Sequence, residues 1–252
     1  MNLLLFEPEE IRLDGTSVVR DARARHLRDV LHVQPGQAVR IGVLDGGVGT
    51  GIVVAVDEQM VAVHCTFEAV PATPPVDLLL ALPRPKVMRR LWAQLSALGV
   101  GHIILTNAER VERNYFDTHV LGVEVYRPLL IEGLQQARDT RLPVVSIHRR
   151  LKVLVEDELD GICPGGPRLV AHPGSARTFR LALGPCLADE PGGQIRTLLA
   201  VGPEGGWTDF ELALLSAHGF GAVGMGTRTL RSDTACVALL ALLHEAIALS
   251  TR

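Results

Sequence analysis

Hydrophobic and polar positions follow one rhythm in the first third of the chain and another after it. Residues 37–45 (QAVRIGVLD), 51–56 and 60–68 (MVAVHCTFE) alternate or run apolar with β-branched side chains. Gly46, Gly47, Gly49 and the Asp57-Glu58 pair punctuate them. This pattern predicts an antiparallel meander. Ahead of it, residues 20–32 place Ala24, Leu27, Val30 and Leu31 at helical spacing, and Pro35-Gly36 ends the helix. The first 70 or so residues therefore predict a small β-barrel with one helix. Residues 70–76 (VPATPPV) hold three prolines and no periodicity, which predicts a stiff linker and a domain boundary.

Beyond the linker the period changes. The run DLLLALP (77–83) precedes an amphipathic segment, 86–98, that stops at Gly99. HIILT (102–106) comes next, then a long helical stretch over 119–137. Short apolar strands are predicted near 143–147, 168–171 and 197–201, followed by a helix 208–218, a strand 220–225 and a helix 233–249. Strands alternating with helices predict a parallel α/β sheet covered on both faces. Residues 184–194 read as an exposed loop.

Composition narrows the class. Of 252 residues, 47% are hydrophobic and 21% charged, enough apolar surface to offset chain entropy over most of the length. No apolar run is expected to approach the roughly 18 residues of a membrane helix, and MNLLLF is followed by acidic EPEE rather than a cleavage site. The expectation is no membrane association and a cytoplasmic location. Cys65, Cys163, Cys186 and Cys236 are scattered, which argues against a disulfide framework or a structural zinc, and no metal is expected. The net charge of −3 is uneven: residues 83–150 carry 11 basic against 6 acidic side chains. Only Lys86 and Lys152 are lysines. Arginine forks suit phosphate, although a GC-rich genome would also favour arginine.

Three segments carry candidate chemistry. In LLAVGPEGGWTDFELALL (198–215) a buried strand ends at Val201, Gly202 to Gly206 turn, and Thr208 with Glu211 fit a capping box. Glu204 would stand at the carboxyl edge of a parallel sheet, where such folds bind ligands; otherwise it is a solvated loop glutamate. In GMGTRTLRSDTACVALLALLHEA (224–246) Arg228 and Arg231 precede a helix that Ser232 or Asp233 caps. Two arginines at a helix N-terminus oppose its dipole, which favours an anionic partner. In LPRPKVMRRLWAQLSALGV (82–100) Arg84, Lys86, Arg89 and Arg90 cluster at a helix start, either for phosphate or as a solvated face. Arg23, Arg25, His26 and Arg28 on the first helix, and Arg110, Arg113 and Asn114 in a later loop, invite the same pair of readings. The string GFGAVG (219–224) matches a dinucleotide fingerprint, but a helix precedes it and a strand follows, the reverse of what that motif needs. GGVGTG (46–51) reads as a hairpin turn.

The ordered set GPEGG, then LRSDTA, resembles the two cofactor motifs of SPOUT-class RNA methyltransferases, and more narrowly the RsmE family. HLRDVLHVQPGQ, LPRPK and RVERNY match further features of that family. Asp233 stands where the family has glutamate, and QQARDTRLP (135–143) departs from its EQxGR pattern, which obscures any role for Glu132, Gln136 or Arg138.

The resemblance implies a PUA-like RNA-binding barrel over 1–72 and a SPOUT methyltransferase domain over 73–252 with a trefoil knot. It implies methylation of uridine N3 in 16S ribosomal RNA of the small subunit, and a homodimer. It also implies S-adenosylmethionine (SAM) held by Ala171, His172 and Pro173, by Val201, Gly202, Pro203, Glu204, Gly205 and Gly206, and by Met225, Gly226, Thr229, Leu230 and Arg231. On that reading Arg231 contacts the target nucleotide, and Glu204 or Asp233 orients it or relays the proton. Two alternatives stay open: another SPOUT enzyme acting on tRNA or 23S RNA, and an RNA-binding assembly factor without catalysis.

Overall fold

A computed structural model describes residues 2–188 and 196–250. The chain divides into two compact units, one of Met1–Thr73 with Leu130–Leu142, the other of Pro74–Leu129 with Pro143–Arg252.

The first unit is built on five strands: β1 (Leu4–Phe6), β2 (Thr16–Val19), β3 (Ala38–Val43), β4 (Val48–Val56) and β5 (Val61–Phe67). Their order is β1-β3-β4-β5-β2. Strands β3, β4 and β5 form the antiparallel meander that the alternation over 37–68 predicts; β2 adds antiparallel to β5, and β1 adds parallel to β3. The inward positions, among them Phe6, Val19, Leu27, Ile41, Val53, Val61 and Val63, form one apolar cluster. The predicted hairpin over 46–51 is shorter. Gly46 and Gly47 make the turn, while Gly49 and Gly51 lie inside β4. A Cβ on Gly51 would sit 2.4 Å from Val63 Cγ1 and 2.7 Å from Ile41 Cγ2, so these glycines serve close approach between strands. The first helix is also shorter than predicted. Helix α1 (Ala22–Arg25), capped by Asp21, passes into a wider π turn over His26–Val30, and His32 leaves it at φ +50°.

Residues 130–142 complete this unit. Leu134 packs with Leu3, Leu5 and Leu44. Thr140 Oγ1 donates to the Gly46 carbonyl at 2.7 Å, and the Leu142 amide donates to Asp45 Oδ1 at 3.0 Å.

The second unit holds a six-stranded parallel sheet: β6 (Val76–Ala81), β7 (Val100–Thr106), β8 (Val144–His148), β9 (Arg168–Ala171), β10 (Thr197–Val201) and β11 (Phe220–Val223). The helices are α2 (Pro85–Ala97), α3 (Val123–Ala137), α4 (Leu151–Val153), α5 (Leu159–Ile162), α6 (Phe179–Ala188), α7 (Asp209–Ala217) and α8 (Ser232–Ser250). Helix α3 runs on into the first unit from Leu130. Sheet order is β11-β9-β10-β6-β7-β8. The chain steps outward from β6 to β8 and then returns to the other side of β6. Loops after the returning strands therefore converge on one edge of the sheet, at a topological switch point.

Some predicted boundaries shift. The helical segment from Leu151 to Ile162 has no counterpart among the predicted elements. Of the loop expected over 184–194, residues 184–188 end α6, and 189–194 lie outside the described residues. Helix α8 corrects the estimate of apolar runs. Ser232–Leu249 has a mean hydropathy of 1.5 and is long enough to cross a membrane. In the fold it packs against α2, α6 and β10. Cys65, Cys163 and Cys236 are free and buried, and burial pushes the thiols up to about 11, 12 and 12.

Candidate active site

Three loops at the carboxyl ends of β9, β10 and β11 enclose a cleft of about 260 Å³. Each loop has a local cause. After β10, the Gly206 amide donates to the Pro203 carbonyl at 2.8 Å, and Gly206 takes φ +74°, a value costly for any side chain with a Cβ. After β9, the His172 amide donates to the Val223 carbonyl at 2.9 Å, and Ser175 Oγ donates to the Ala222 carbonyl at 3.1 Å. After β11, a Cβ on Gly224 would stand 2.2 Å from the Ser175 carbonyl oxygen, so only glycine lets the first and third loops touch.

The structure brings together Ala171, His172, Pro173, Val201, Gly202, Pro203, Glu204, Gly205, Gly206, Met225, Gly226, Thr229 and Leu230 as lining of this one cleft. Arg231 is not among the lining residues. It is exposed, and its carbonyl accepts the Ala235 amide at 2.8 Å in the first turn of α8. Further lining residues lie outside the cofactor set that the sequence suggests, among them Trp207, Ser232 as more than a cap, and Leu239. Trp207 Nε1 and Ser232 Oγ are buried with no hydrogen-bond partner among the described residues. Buried donors normally find partners, so two in one cleft mark places for ligand acceptors.

Glu211 has a second function beyond its capping box. Its Oε2 accepts from the Thr208 amide at 2.8 Å and from Thr208 Oγ1 at 3.0 Å. Its Oε1 accepts from the Glu109 amide at 2.8 Å. One buried carboxylate thereby stitches the loop after β7 to the loop after β10. Arg110, next in that loop, donates to the Gly205 carbonyl.

The charged candidates fall into different situations. Glu204 faces Arg84 at 3.8 Å. Asp233 Oδ2 accepts from Arg90 Nη2 at 2.6 Å, and the Arg90 guanidinium holds its carboxyl below the usual carboxylate value. Lys86, Arg89, Arg113 and Asn114 are exposed. In the first unit, Arg25 is exposed and His26 half-buried. Arg23 is instead clamped by Glu10, Asp21 and the Leu5 carbonyl (its Nη1 donates to Leu5 at 2.8 Å), which makes it a structural arginine with no fork left for phosphate. Arg28 pairs with Asp29 at 2.7 Å and donates to the Glu58 carbonyl. Among the described residues no His, Cys, Asp and Glu group has the grouping of a metal site.

A parallel sheet with a glycine-lined cleft at its switch point defines the class of α/β proteins that bind a small ligand there. Residues 71–244 match the model of the RNA methyltransferase domain family. Ribosomal RNA small subunit methyltransferase E of Treponema pallidum is 32% identical over 97% of this chain and 92% of its own. Its namesake in Mycobacterium tuberculosis is 27% identical over 95% and 90%. The crystal structure of the Neisseria gonorrhoeae enzyme of that name, bound to S-adenosyl methionine, has the same fold, with a TM-score of 0.71 at 22% identity over 97% of both chains. The chain belongs to the ribosomal RNA small subunit methyltransferase E family of RNA methyltransferases.

Proposed function

We propose that the protein transfers a methyl group from SAM to N3 of a uridine in 16S ribosomal RNA of the small subunit. One observation supports the cofactor assignment: the cleft is lined by all three loops that the family resemblance nominates and holds two buried donors, Trp207 Nε1 and Ser232 Oγ, without partners among the described residues. The residues fit the cofactor. Glycines at 202, 205, 206, 224 and 226 let backbone amides approach a bound adenosyl group. SAM, when bound, supplies a methyl group already activated on a sulfonium.

The chain's residues then position and desolvate. The uracil N3–H proton must leave so that N3 forms the new N–C bond as the S–C bond breaks. Arg231, outside the cleft lining and exposed, stabilises the charge that develops on the uracil oxygens. Glu204, exposed among the cleft lining, orients the base or relays the proton. Asp233 suits this less well, because its pairing with Arg90 favours the carboxylate and weakens it as a base. Its carboxylate instead ties the first turn of α8 to Arg90 on α2.

The remaining parts of the reading follow the family. The first unit, with Arg25 exposed, acts as a PUA-like RNA-docking barrel. The carboxyl-terminal part of the second unit passes through a trefoil knot. The active form is a homodimer, and the enzyme works in the cytoplasm without a metal. Calorimetry with SAM tests the cofactor. Typing the methylated nucleosides of small-subunit RNA, from cells with and without the protein, tests the target: loss of N3-methyluridine alone is expected, and an unchanged profile would refute it.

A further inference from the structure

Strands β6, β7 and β8 are neighbours, and each ends in a loop that carries arginine on the same sheet edge: Arg84 after β6, Arg110 after β7, Arg149 and Arg150 after β8. Neighbouring strands lie about 4.8 Å apart, so these loops form a row leading away from the cleft. The row ends in a second concavity, lined by residues 107–109, 149–153, Thr208, Phe210, Glu211 and Leu214. Phe210 is 65% exposed in the first turn of α7, an unusual position for a phenylalanine with nothing covering it. Arg150 and Lys152 are exposed in the same lining, Lys152 at a long 3.8 Å from Glu156. Arg149 is held by Phe116 and Asp117. Glu109 is the one exposed acid of the lining. Glu211, whose carboxylate joins Glu109 to Thr208, forms part of this concavity, and Arg110 in the loop it holds lines the cleft. The two hollows thus share one hydrogen-bonded partition.

We propose that this concavity docks a single-stranded nucleotide flanking the target base, with the base stacked on Phe210 and the backbone phosphate on Arg150 and Lys152. The inference rests on the methyltransferase reading for the word "target", and on the concavity itself for the binding. An aromatic face beside two cations is what an unpaired nucleotide recognises, since every base has a π-face and every linkage a charge.

The test measures small-subunit particles and naked 16S RNA binding to the full chain, with methyl transfer in parallel. Phe210→Ala is expected to weaken RNA binding about tenfold with an unchanged salt slope, and Phe210→Trp to restore it. Arg150→Ala with Lys152→Ala is expected to weaken binding and flatten the salt slope by about 0.7, the value for one phosphate of a single strand. In both, KM for the RNA rises while kcat and SAM affinity stay put. Wild-type binding and slope in these exposed-site variants would overturn the proposal. So would a loss seen with assembled particles but not with naked RNA, which would mark a protein contact. If the wild type binds RNA through this surface yet transfers no methyl group, the methyltransferase reading fails and the docking site stands.

Discussion

At the residue scale, Glu211 and Arg231 separate what holds the site from what acts in it. Glu211 is buried and accepts from two backbone amides in different loops. Glu211→Ala leaves both donors unsatisfied, at about 1–3 kcal/mol each. The expected outcome is a stability loss of about 3 kcal/mol by denaturant titration. Glu211→Gln keeps the volume but turns one acceptor into a donor facing a donor. It should fold, yet bind SAM at least tenfold more weakly by calorimetry, because the Gly202 to Gly206 turn loses its anchor. Arg231→Ala should behave in the opposite way. The side chain is exposed and lies outside the cleft lining, so SAM binding should change less than threefold while methyl transfer to RNA falls by a hundredfold or more.

At the element scale, the cleft depends on loops that touch only through glycine. Gly224→Ala places a Cβ 2.2 Å from the Ser175 carbonyl, and neither partner is a flexible side-chain end. The loop after β9 must move, so SAM binding should vanish in calorimetry even where the variant remains folded by circular dichroism. Burial also sets a pH response. It lowers the affinity of His102, on β7, and His244, on α8, for protons, so both favour the neutral ring in the folded state. The unfolded chain binds those protons near pH 6.5. Their contribution is therefore whole above that value and is lost as pH falls through it toward the depressed folded values. Melting temperature should drop between pH 7.5 and 5.5, and less so when both are replaced by asparagine.

The legible elements were those whose period was unambiguous. The strands ending at Ala81, Thr106, Val201 and Val223 are short apolar runs bounded by turns, and the motif loops after β10 and β11 stand where the spacing put them. The segment 151–162 is not legible in the sequence because two short α-helical stretches flank a π turn, which breaks the 3.6-residue period. Spacing alone shows Glu211 as a local cap, because its second partner, Glu109, lies 102 residues away. Arg23 looked like its exposed neighbour Arg25 because sequence cannot reveal that Glu10 and Asp21 close on it.

At the scale of the whole molecule, α8 poses the remaining question. Its composition would suit a bilayer, and its packing against α2, α6 and β10 accounts for Leu239, Leu240 and Leu243, which are buried. It does not account for Val237, Leu242 and Leu249, which stay 36%, 39% and 48% exposed, nor for Leu181 on α6 at 65%. Helices α6 and α8 pack together, so these side chains belong to one layer of the second unit. A homodimer with this layer at its centre would remove the apolar surface from water, at about 25 cal/mol per Å² covered. Leu242→Glu with Leu249→Glu changes no residue of the cleft lining and no buried side chain. Sedimentation should therefore find the wild type as a dimer and the double variant as a monomer of unchanged helicity. If the site needs its partner, methyl transfer should fall in step with the dimer fraction and recover at high protein concentration. A wild type that sediments as a monomer at working concentration would remove the dimer from the mechanism and leave the α6–α8 layer unexplained.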